Sequence, residues 1–457
     1  TTIGANAFQY CTSIDTLIIP CSSIGDYAFA GCTNLKSVTI ENTVTTMGTY
    51  IFQNCTKLDT AVLPSNASLV PNYMFIGCTS LKAISLPDDI TILGASAFES
   101  CTSLKTIIIP NKVITLRGSA FRYCTALESV VIPESVTTYA NSVFLGCTGL
   151  KDIHIKATTP PYINTSSSVF VNVNKTTCIL HVPLGSVSAY QTADEWKTFS
   201  NIDDTKFINC SAGNLSGLTT AFEKANISNL VITGTMDACD FKTLRDSLPK
   251  LTKLDISKVT IMSYSGLNGT VNANIQYISN TIPPYAFYNP ATQISKTTLQ
   301  TISLPESIIA IDVSAFQSGT GLKALNIPST VVSIANSALK GIGGNISVQD
   351  GNTIYAVNDG ILYDIEQEIL MNCPITKSGN INTLLPFVSI GKNAFWGCDG
   401  ITSLRIPSTV TAIGSEAFSG CSKLESLYAM STVPADLSNS PDVFKSVDVL
   451  HCILYVP

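Results

Sequence analysis

The chain has 457 residues and a formal net charge of −6, so it offers no basic surface to attract nucleic acid or anionic lipid. Hydrophobic residues make up 45% of the chain, but the apolar runs are short. The run 107–109 ends at Pro110, whereas a membrane-spanning helix needs about 20 apolar residues. The composition therefore predicts no membrane span in this chain and allows two or three domains or one long repeat array.

The first third of the chain repeats one motif at a fixed period. Phenylalanines recur every 23 residues at Phe29, Phe52, Phe75, Phe98, Phe121 and Phe144, after Phe8 at a spacing of 21. The cysteines keep the same 23-residue step at Cys32, Cys55, Cys78, Cys101, Cys124 and Cys147. A period of about 20–29 residues that carries L-x-x-L-x-L is typical of a leucine-rich-repeat solenoid.

A single unit, residues 93–110, shows how each coil is built. The alternation of Ile107 and Ile109 predicts a strand with one face inward, and Pro110 ends that strand. Phe98 returns a bulky ring to the core, and no stretch is long enough for more than one helical turn. We therefore predict a right-handed solenoid with a parallel β-sheet on the concave face and short turns on the convex face.

Nine of the fifteen cysteines occupy one repeat position: Cys11, Cys32, Cys55, Cys78, Cys101, Cys124, Cys147, Cys398 and Cys421. The simplest interpretation is a buried thiol that fills the core of each coil. Disulfides between adjacent turns are the alternative. Zinc is disfavoured because no C-x-x-C pair or nearby histidine supplies four ligands.

Two matching changes in the repeat spacing predict two arrays in tandem. Phe170 follows Phe144 by 26 residues, and Phe444 follows Phe418 by the same interval. We assign residues 1–205 to a first array with an exit cap but no entry cap. Residues 206–457 form a second array whose entry cap lies at about 214–262 and whose exit cap is truncated, so we expect the chain to be part of a longer molecule.

The predicted entry cap contains two helices. Leu218, Ala221, Phe222 and Ala225 have the spacing of an amphipathic helix, and Phe241, Leu244 and Leu248 have the spacing of a second. Regular repeats return at residue 299, and a longer, hairpin-like unit interrupts them at 355–374.

The unit from Cys398 to Phe418 resembles the repeat of the BspA-like, treponemal-type leucine-rich-repeat proteins, roughly C-x-x-L-x-x-I-x-I-P-x-x-V-x-x-I-G-x-x-A-F. Departures from the pattern occur at Met47, Arg117, Tyr139 and Leu339. The resemblance implies an extracellular or outer-cell-surface location and adhesion to host proteins or other bacteria.

The sequence contains no recognisable catalytic, cofactor-binding or metal-binding constellation. Its three histidines, His154, His181 and His451, do not recur at a shared repeat position. There is no G-x-S-x-G or phosphate-loop motif, and Asp350-Gly351-Asn352 is better explained as a turn than as a calcium loop. We therefore expect no cofactor and no enzyme activity.

The outward strand positions are the candidate binding residues. They are Ile18, Thr39, Thr60, Val62, Ser85, Thr106, Ile108, Ser129, Val131 and His154. These residues have two interpretations, because β-branched side chains suit strands in any case, whereas exposed isoleucine and valine on one face can form a protein-binding patch.

The leading hypothesis is a non-enzymatic, secreted or cell-surface recognition or adhesion protein that binds a host or bacterial surface protein or glycan through its repeat surface. The alternative is a structural spacer that projects other domains from the cell surface and has no ligand of its own. A third hypothesis is an enzyme with a site near Trp196 to Asn214. We expect a monomer that binds no nucleic acid.

Overall fold

The computed structural model describes residues 1–366, 368–382, 387–435 and 437–457. The chain divides into two compact units, Thr1–Asp204 and Thr205–Pro457. Each unit is built mainly from parallel strands that pair between successive coils.

The first unit contains short strands and very little helix. In chain order the strands are β1 (Thr2–Ile3), β2 (Thr16–Ile19), β3 (Ser23–Ile24), β4 (Ser37–Ile40), β5 (Thr46–Met47), β6 (Thr60–Val62), β7 (Leu69–Val70), β8 (Ile92–Leu93), β9 (Thr106–Ile108), β10 (Thr115–Leu116), β11 (Ser129–Ile132), β12 (Thr138–Tyr139), β13 (Asp152–Ile155), β14 (Ile179–His181) and β15 (Asn201–Asp203). The helical segments all follow β13: the 3-10 turns Thr165–Ser167 and Trp196–Thr198, and the helix α1 (Val187–Thr192).

These strands form two kinds of parallel ladder. The longer strands pair in the orders β2-β4-β6 and β9-β11-β13-β14-β15, and the two-residue strands pair as β1-β3-β5 and β7-β8-β10-β12. Val130, for example, pairs with Ile107 of the preceding coil and Ile153 of the next. The predicted leucine-rich-repeat solenoid, with a parallel sheet and short turns in place of helices, is confirmed.

A column of stacked phenylalanine rings runs through the core of the first unit. Ring centroids of successive coils lie 5.3–5.7 Å apart from Phe8 through Phe170. From Phe29 onward these rings are almost completely buried. Because each ring is covered by the rings of the adjacent coils, a single coil could not bury its own core.

The turn that precedes each of these rings requires a left-handed backbone. Tyr27, Tyr50 and Tyr73 have φ values of 57°, 59° and 61° at this position, and Ser119 of a later coil has 56°. A bulky residue is uncommon in this region of φ and ψ. The three tyrosine rings stack on one another with centroids 4.5 and 4.3 Å apart, which offsets part of the backbone strain.

The repeat cysteines are free thiols in this structure, and so are the other cysteines of the chain. Each buried repeat thiol from Cys32 to Cys147 donates a hydrogen bond to the phenylalanine carbonyl of the preceding coil. Cys101 Sγ, for example, lies 3.2 Å from the Phe75 oxygen. The thiol therefore fills core space and also satisfies a backbone carbonyl, which the repeat spacing alone did not reveal.

Aromatic residues that follow β14 pack beside Phe170, the last ring of the phenylalanine column. Trp196 and Tyr190 are fully buried, and the Trp196 ring lies 5.5 Å from the ring of Phe170. The polar atoms of these rings are satisfied: Trp196 Nε1 donates to the Pro161 carbonyl at 2.7 Å, and the Tyr190 hydroxyl donates to the Ala157 carbonyl at 2.8 Å.

The described part of the second unit contains helices near its start and strands throughout. Its strands are β16 (Lys206–Cys210), β17 (Asn229–Met236), β18 (Lys253–Ile261), β19 (Tyr264–Gly266), β20 (Ile275–Tyr277), β21 (Thr281–Ile282), β22 (Tyr288–Asn289), β23 (Ile294–Ser295), β24 (Thr301–Ser303), β25 (Ala310–Ile311), β26 (Ala324–Ile327), β27 (Ser333–Ile334), β28 (Asn345–Val348), β29 (Tyr355–Asn358), β30 (Ile361–Asp364), β31 (Ile369–Asn372), β32 (Ser378–Asn382), β33 (Ser389–Ile390), β34 (Gly400–Ile406), β35 (Ala412–Ile413), β36 (Ser426–Ala429) and β37 (Ile453–Tyr455). The helices are α2 (Ala221–Asn226) and α3 (Ala238–Ser247).

Both helices expected near the start of this unit are present, but they differ in burial. The helix α3 buries Phe241 and Leu244, whereas α2 has no buried residue and leaves Phe222 63% exposed. The predicted apolar face of α2 therefore does not pack into the core. In the residues that the structure describes, no helix is long and apolar enough to cross a membrane.

The hairpin-like unit is an antiparallel insertion in the parallel array. β29 pairs antiparallel with β30, and β30 pairs antiparallel with β31. Parallel pairing then resumes from β31 to β33 and from β33 to β35. Asp359 and Gly360 form the turn between β29 and β30 with φ values of 49° and 74°. Left-handed values at both central residues are the requirement of a tight hairpin turn.

Candidate functional site

The outward side chains of the longer strands in the first unit form a surface that we call the sheet face. Strand register aligns Ile18, Thr39, Val62 and Ser85 in one row and Ile108, Val131 and His154 in another. Thr60, Thr106 and Ser129 occupy the outward position two residues earlier in their strands. The structure thus places all of the predicted residues on this surface.

The ten residues differ in exposure. Ile18, Val62 and Ile108 are exposed by 62%, 54% and 68%. Thr60, Ser85 and Thr106 are also exposed, whereas Thr39, Ser129, Val131 and His154 are half-buried. Val131 is shielded because Ile108 and His154 flank it on the two neighbouring strands.

The sheet face is broken in the middle, where a continuous parallel sheet had been expected. Residues 82–87 make only the single bridge between Val62 and Ser85, so β6 and β9 become the edges of two separate sheets. Ala83 and Ser85, at the outward positions of this coil, lack the β-branched side chains that favour strands. We call this interruption the sheet break.

The sheet break exposes aliphatic side chains and opens a cleft. Val62 and Ile108 lie on the two edge strands, so each lacks a regular strand neighbour on one side. A cleft of about 560 Å³ lies against Val62, Ser85, Asp88 and Asp89. The exposed side chain of Val62 therefore lines a concave opening together with two carboxylates.

Ion pairs between neighbouring coils border the sheet face. Lys82 Nζ lies 3.8 Å from Asp59, and Lys151 Nζ lies 3.1 Å from Glu128. These side chains are largely exposed, so each pair contributes little to stability. Their expected effect is on the association rate of a charged partner.

A histidine–carboxylate cluster lies at the far end of the sheet face. The rings of His154 and His181 stack with centroids 4.3 Å apart. His181 Nε2 lies 3.0 Å from Asp152 Oδ1, and His181 Nδ1 lies 3.5 Å from Asp203 Oδ2. Hydrogen bonding to Asp203 raises the pKa of His181, whereas burial and the neighbouring His181 lower the pKa of His154.

This cluster corrects one expectation from the sequence. His154 and His181 do share a repeat position, because β13 and β14 pair them directly. The equivalence was hidden because the coil between them is 27 residues long instead of 23. Alignment of the strand motif Asp152–Ile155 with Ile179–Val182 would have found it.

The sheet face presents aliphatic, hydroxyl and histidine side chains. Within the described ranges, no group of three or more histidine, cysteine, aspartate or glutamate side chains could hold a metal ion. The Cys147 thiol is not activated as a nucleophile, because burial raises its pKa to about 12.

Comparison with known proteins adds a family assignment. A model described as the BspA type leucine rich repeat region, with six copies, matches residues 1–128, 68–190, 115–247, 280–367 and 354–440. These matches together include more than half of the chain. A comparison with curated proteins found no match.

Several solved structures are similar to the chain. A leucine-rich-repeat protein of T. pallidum is 29% identical, with 34% of this chain and 76% of that chain covered and a TM-score of 0.31. One from Bacteroides ovatus is 19% identical, with 97% and 92% covered and a TM-score of 0.29. A leucine rich cell surface protein from Faecalibacterium prausnitzii is 19% identical, with 90% and 86% covered and a TM-score of 0.25.

Proposed function

We propose that this chain, which belongs to the BspA-type leucine-rich-repeat family, is a non-enzymatic recognition protein of the cell surface or the extracellular space. It binds a protein or glycan partner through the sheet face of its first unit. The observation that carries the proposal is the exposure of Val62 and Ile108, by 54% and 68%, on the two edges of the sheet break. Family membership supports the surface role and does not by itself identify a partner.

The arrangement around the sheet break has the features of a binding surface. Binding energy concentrates in a few apolar residues that become desolvated, and polar groups at the rim set orientation and rate. Val62 and Ile108 supply the apolar centre, and Asp88 and Asp89 line the adjacent cleft. The strands that carry the apolar side chains are fixed by backbone pairing, so little conformational entropy is lost on binding.

A capture experiment with matched variants tests this proposal. The purified chain would be immobilised and exposed to extracts of host extracellular matrix and of bacterial cell surfaces. Ile108→Asp should abolish retention of the partner, because it places a charge at the apolar centre of the surface. Ile114→Asp is the control, because Ile114 is 60% exposed in the same repeat but lies next to the short strand β10.

The outcomes distinguish recognition from a spacer role. Retention by the native chain and the Ile114→Asp variant, together with loss in the Ile108→Asp variant, supports the sheet face as the binding surface. A spacer would retain nothing in any form. Equal retention of the partner by both variants would show that the binding surface lies in another part of the chain.

A further inference from the structure

The antiparallel insertion of the second unit creates a cleft of about 600 Å³, which we call the second-unit cleft. Pockets that hold small organic ligands have volumes of about 300–1,000 Å³. Ser333, Thr411 and Lys392 stand exposed at its rim, whereas Leu362 and Ile390 are buried on its floor. The cleft lies within the second unit and is separate from the sheet face.

The cleft forms where one ladder of short strands ends before the next begins. β27 closes the ladder β21-β25-β27, and the following ladder starts from the insertion and continues through β33 and β35. Side chains bridge this gap. Tyr355 Oη accepts from the Ile334 amide at 2.9 Å, and Asn372 Nδ2 donates to the Leu339 carbonyl at 3.1 Å. The walls are therefore held at a fixed separation.

Two buried amide oxygens on the cleft have no partner among the residues that the structure describes. They are Oδ1 of Asn372 and Oδ1 of Asn393, whose residues are 5% and 2% exposed. The amide nitrogens of both are already used, since Asn393 Nδ2 donates to Ser337 Oγ at 2.9 Å. A buried acceptor without a donor is unfavourable, so these oxygens select for a ligand that supplies hydrogen-bond donors.

The charged residues that line the cleft indicate which kind of donor-bearing ligand it can bind. Its lining contains Lys340 and Lys392 against the single carboxylate of Asp364. Lys340 is fixed in place by Glu416, 2.7 Å away, and by the Trp396 ring at 4.7 Å. Glu416 neutralises Lys340, and the lining otherwise holds one lysine and one carboxylate, so no net charge in the cleft favours a charged ligand. Two unfilled acceptors also disfavour a simple anion.

We propose that the second-unit cleft binds a neutral, polyhydroxylated ligand, most simply one saccharide ring. Sugar hydroxyl groups would donate to Asn372 and Asn393, and the C–H face of the ring would pack on Val332 and Ile369, apolar lining residues that keep accessible surface. Hydroxyl groups also accept hydrogen bonds, so Lys392 and the serine and threonine hydroxyls at the rim can contact the same ring. This site is independent of the partner surface proposed for the first unit.

Saturation-transfer NMR on the whole chain tests the proposal with defined probes. The panel would contain glucose, galactose, mannose, N-acetylglucosamine and lactose, with arginine amide as the cationic comparator. We expect at least one sugar to receive saturation and arginine amide to receive none. Ser333→Trp should remove the sugar signal by filling the rim of the cleft. Ser303→Trp, at an exposed strand position away from the cleft, should retain it.

A second variant addresses the acceptors. Asn372→Leu removes an acceptor while keeping the side-chain volume, so it should lose the sugar signal. The thermal unfolding of this variant is measured in parallel. If the variant does not fold, the comparison of Ser333→Trp with Ser303→Trp tests whether the sugar binds in the cleft. Three results would overturn the proposal. They are no saturation transfer to any sugar at millimolar concentration, saturation transfer to arginine amide alone, and an undiminished sugar signal in Ser333→Trp.

Discussion

The thiol of Cys101 packs between coils and donates to the Phe75 carbonyl at 3.2 Å, so one small side chain makes both apolar and polar contacts. Neighbouring coils repeat this bond, which forms a column of thiols beside the column of phenylalanine rings. The Phe75 carbonyl also accepts from the Cys78 amide at 3.1 Å and keeps that partner if the thiol is removed.

This geometry changes what is expected of substitutions at Cys101. Cys101→Ala should lower the free energy of unfolding by about 1–2 kcal/mol, because it leaves a small cavity. From the sequence alone, Cys101→Ser would be expected to cost more, since a buried hydroxyl needs a partner. The structure supplies that partner. We therefore expect chemical denaturation to show that the serine variant loses no more free energy of unfolding than the alanine variant. A markedly less stable serine variant would show that the shorter side chain cannot reach the carbonyl.

The stacked histidines give a prediction with a defined direction in pH. In NMR titrations, the pKa of His181 should lie above the ordinary value of 6.5, and that of His154 should lie below it. Asp203→Asn should lower the pKa of His181, because the hydrogen bond to Asp203 is the largest cause of its shift. The same pKa in the variant would mean that Asp203 does not act on this ring.

The sign of the stability effect follows from these shifts. The contribution of protonated His181 to folding is complete below the unfolded pKa near 6.5 and is lost as the pH rises through the higher folded pKa. His154 acts in the opposite direction: protonation is disfavoured in the fold, so its contribution is lost as the pH falls from 6.5 through its lowered pKa.

Among the structural elements, the sheet break is the feature that most affects the candidate site. It turns β6 and β9 into edge strands and thereby exposes Val62 and Ile108. The sequence predicted which side chains point outward, because strand periodicity fixes that direction. It did not predict the break, because Leu81, Ile84 and Pro87 preserve the repeat motif in that coil.

The sheet break should be visible in amide hydrogen exchange. Peptides that contain residues 82–89 should exchange faster than peptides that contain residues 128–135, the equivalent segment two coils later. β11 in the latter segment is paired on both sides, whereas the break has one isolated bridge. Backbone amides outside a regular ladder open at lower free energy. Equal protection of the two segments would show that the ladder is continuous in solution.

For the whole molecule, the regular period made the fold predictable and left function largely undetermined. Recurrent phenylalanine, cysteine, leucine and isoleucine positions specify which side chains meet between coils, and this is sufficient for a solenoid. Contacts that depend on irregular coils were not predictable, such as the pairing of His154 with His181 and the second-unit cleft. The assignment of two separate arrays with their own caps, 1–205 and 206–457, stays a prediction.

A photo-crosslinking amino acid introduced at residue 108 tests the central claim most directly, with residue 114 as the matched position. Both isoleucines are exposed, by 68% and 60%, and they belong to one repeat. With the captured partner present, illumination should crosslink the partner to the chain at residue 108. The chain that carries the photo-crosslinking amino acid at residue 114 should give no crosslinked product. Crosslinking at residue 114 alone would contradict the assignment of the sheet face as the recognition surface.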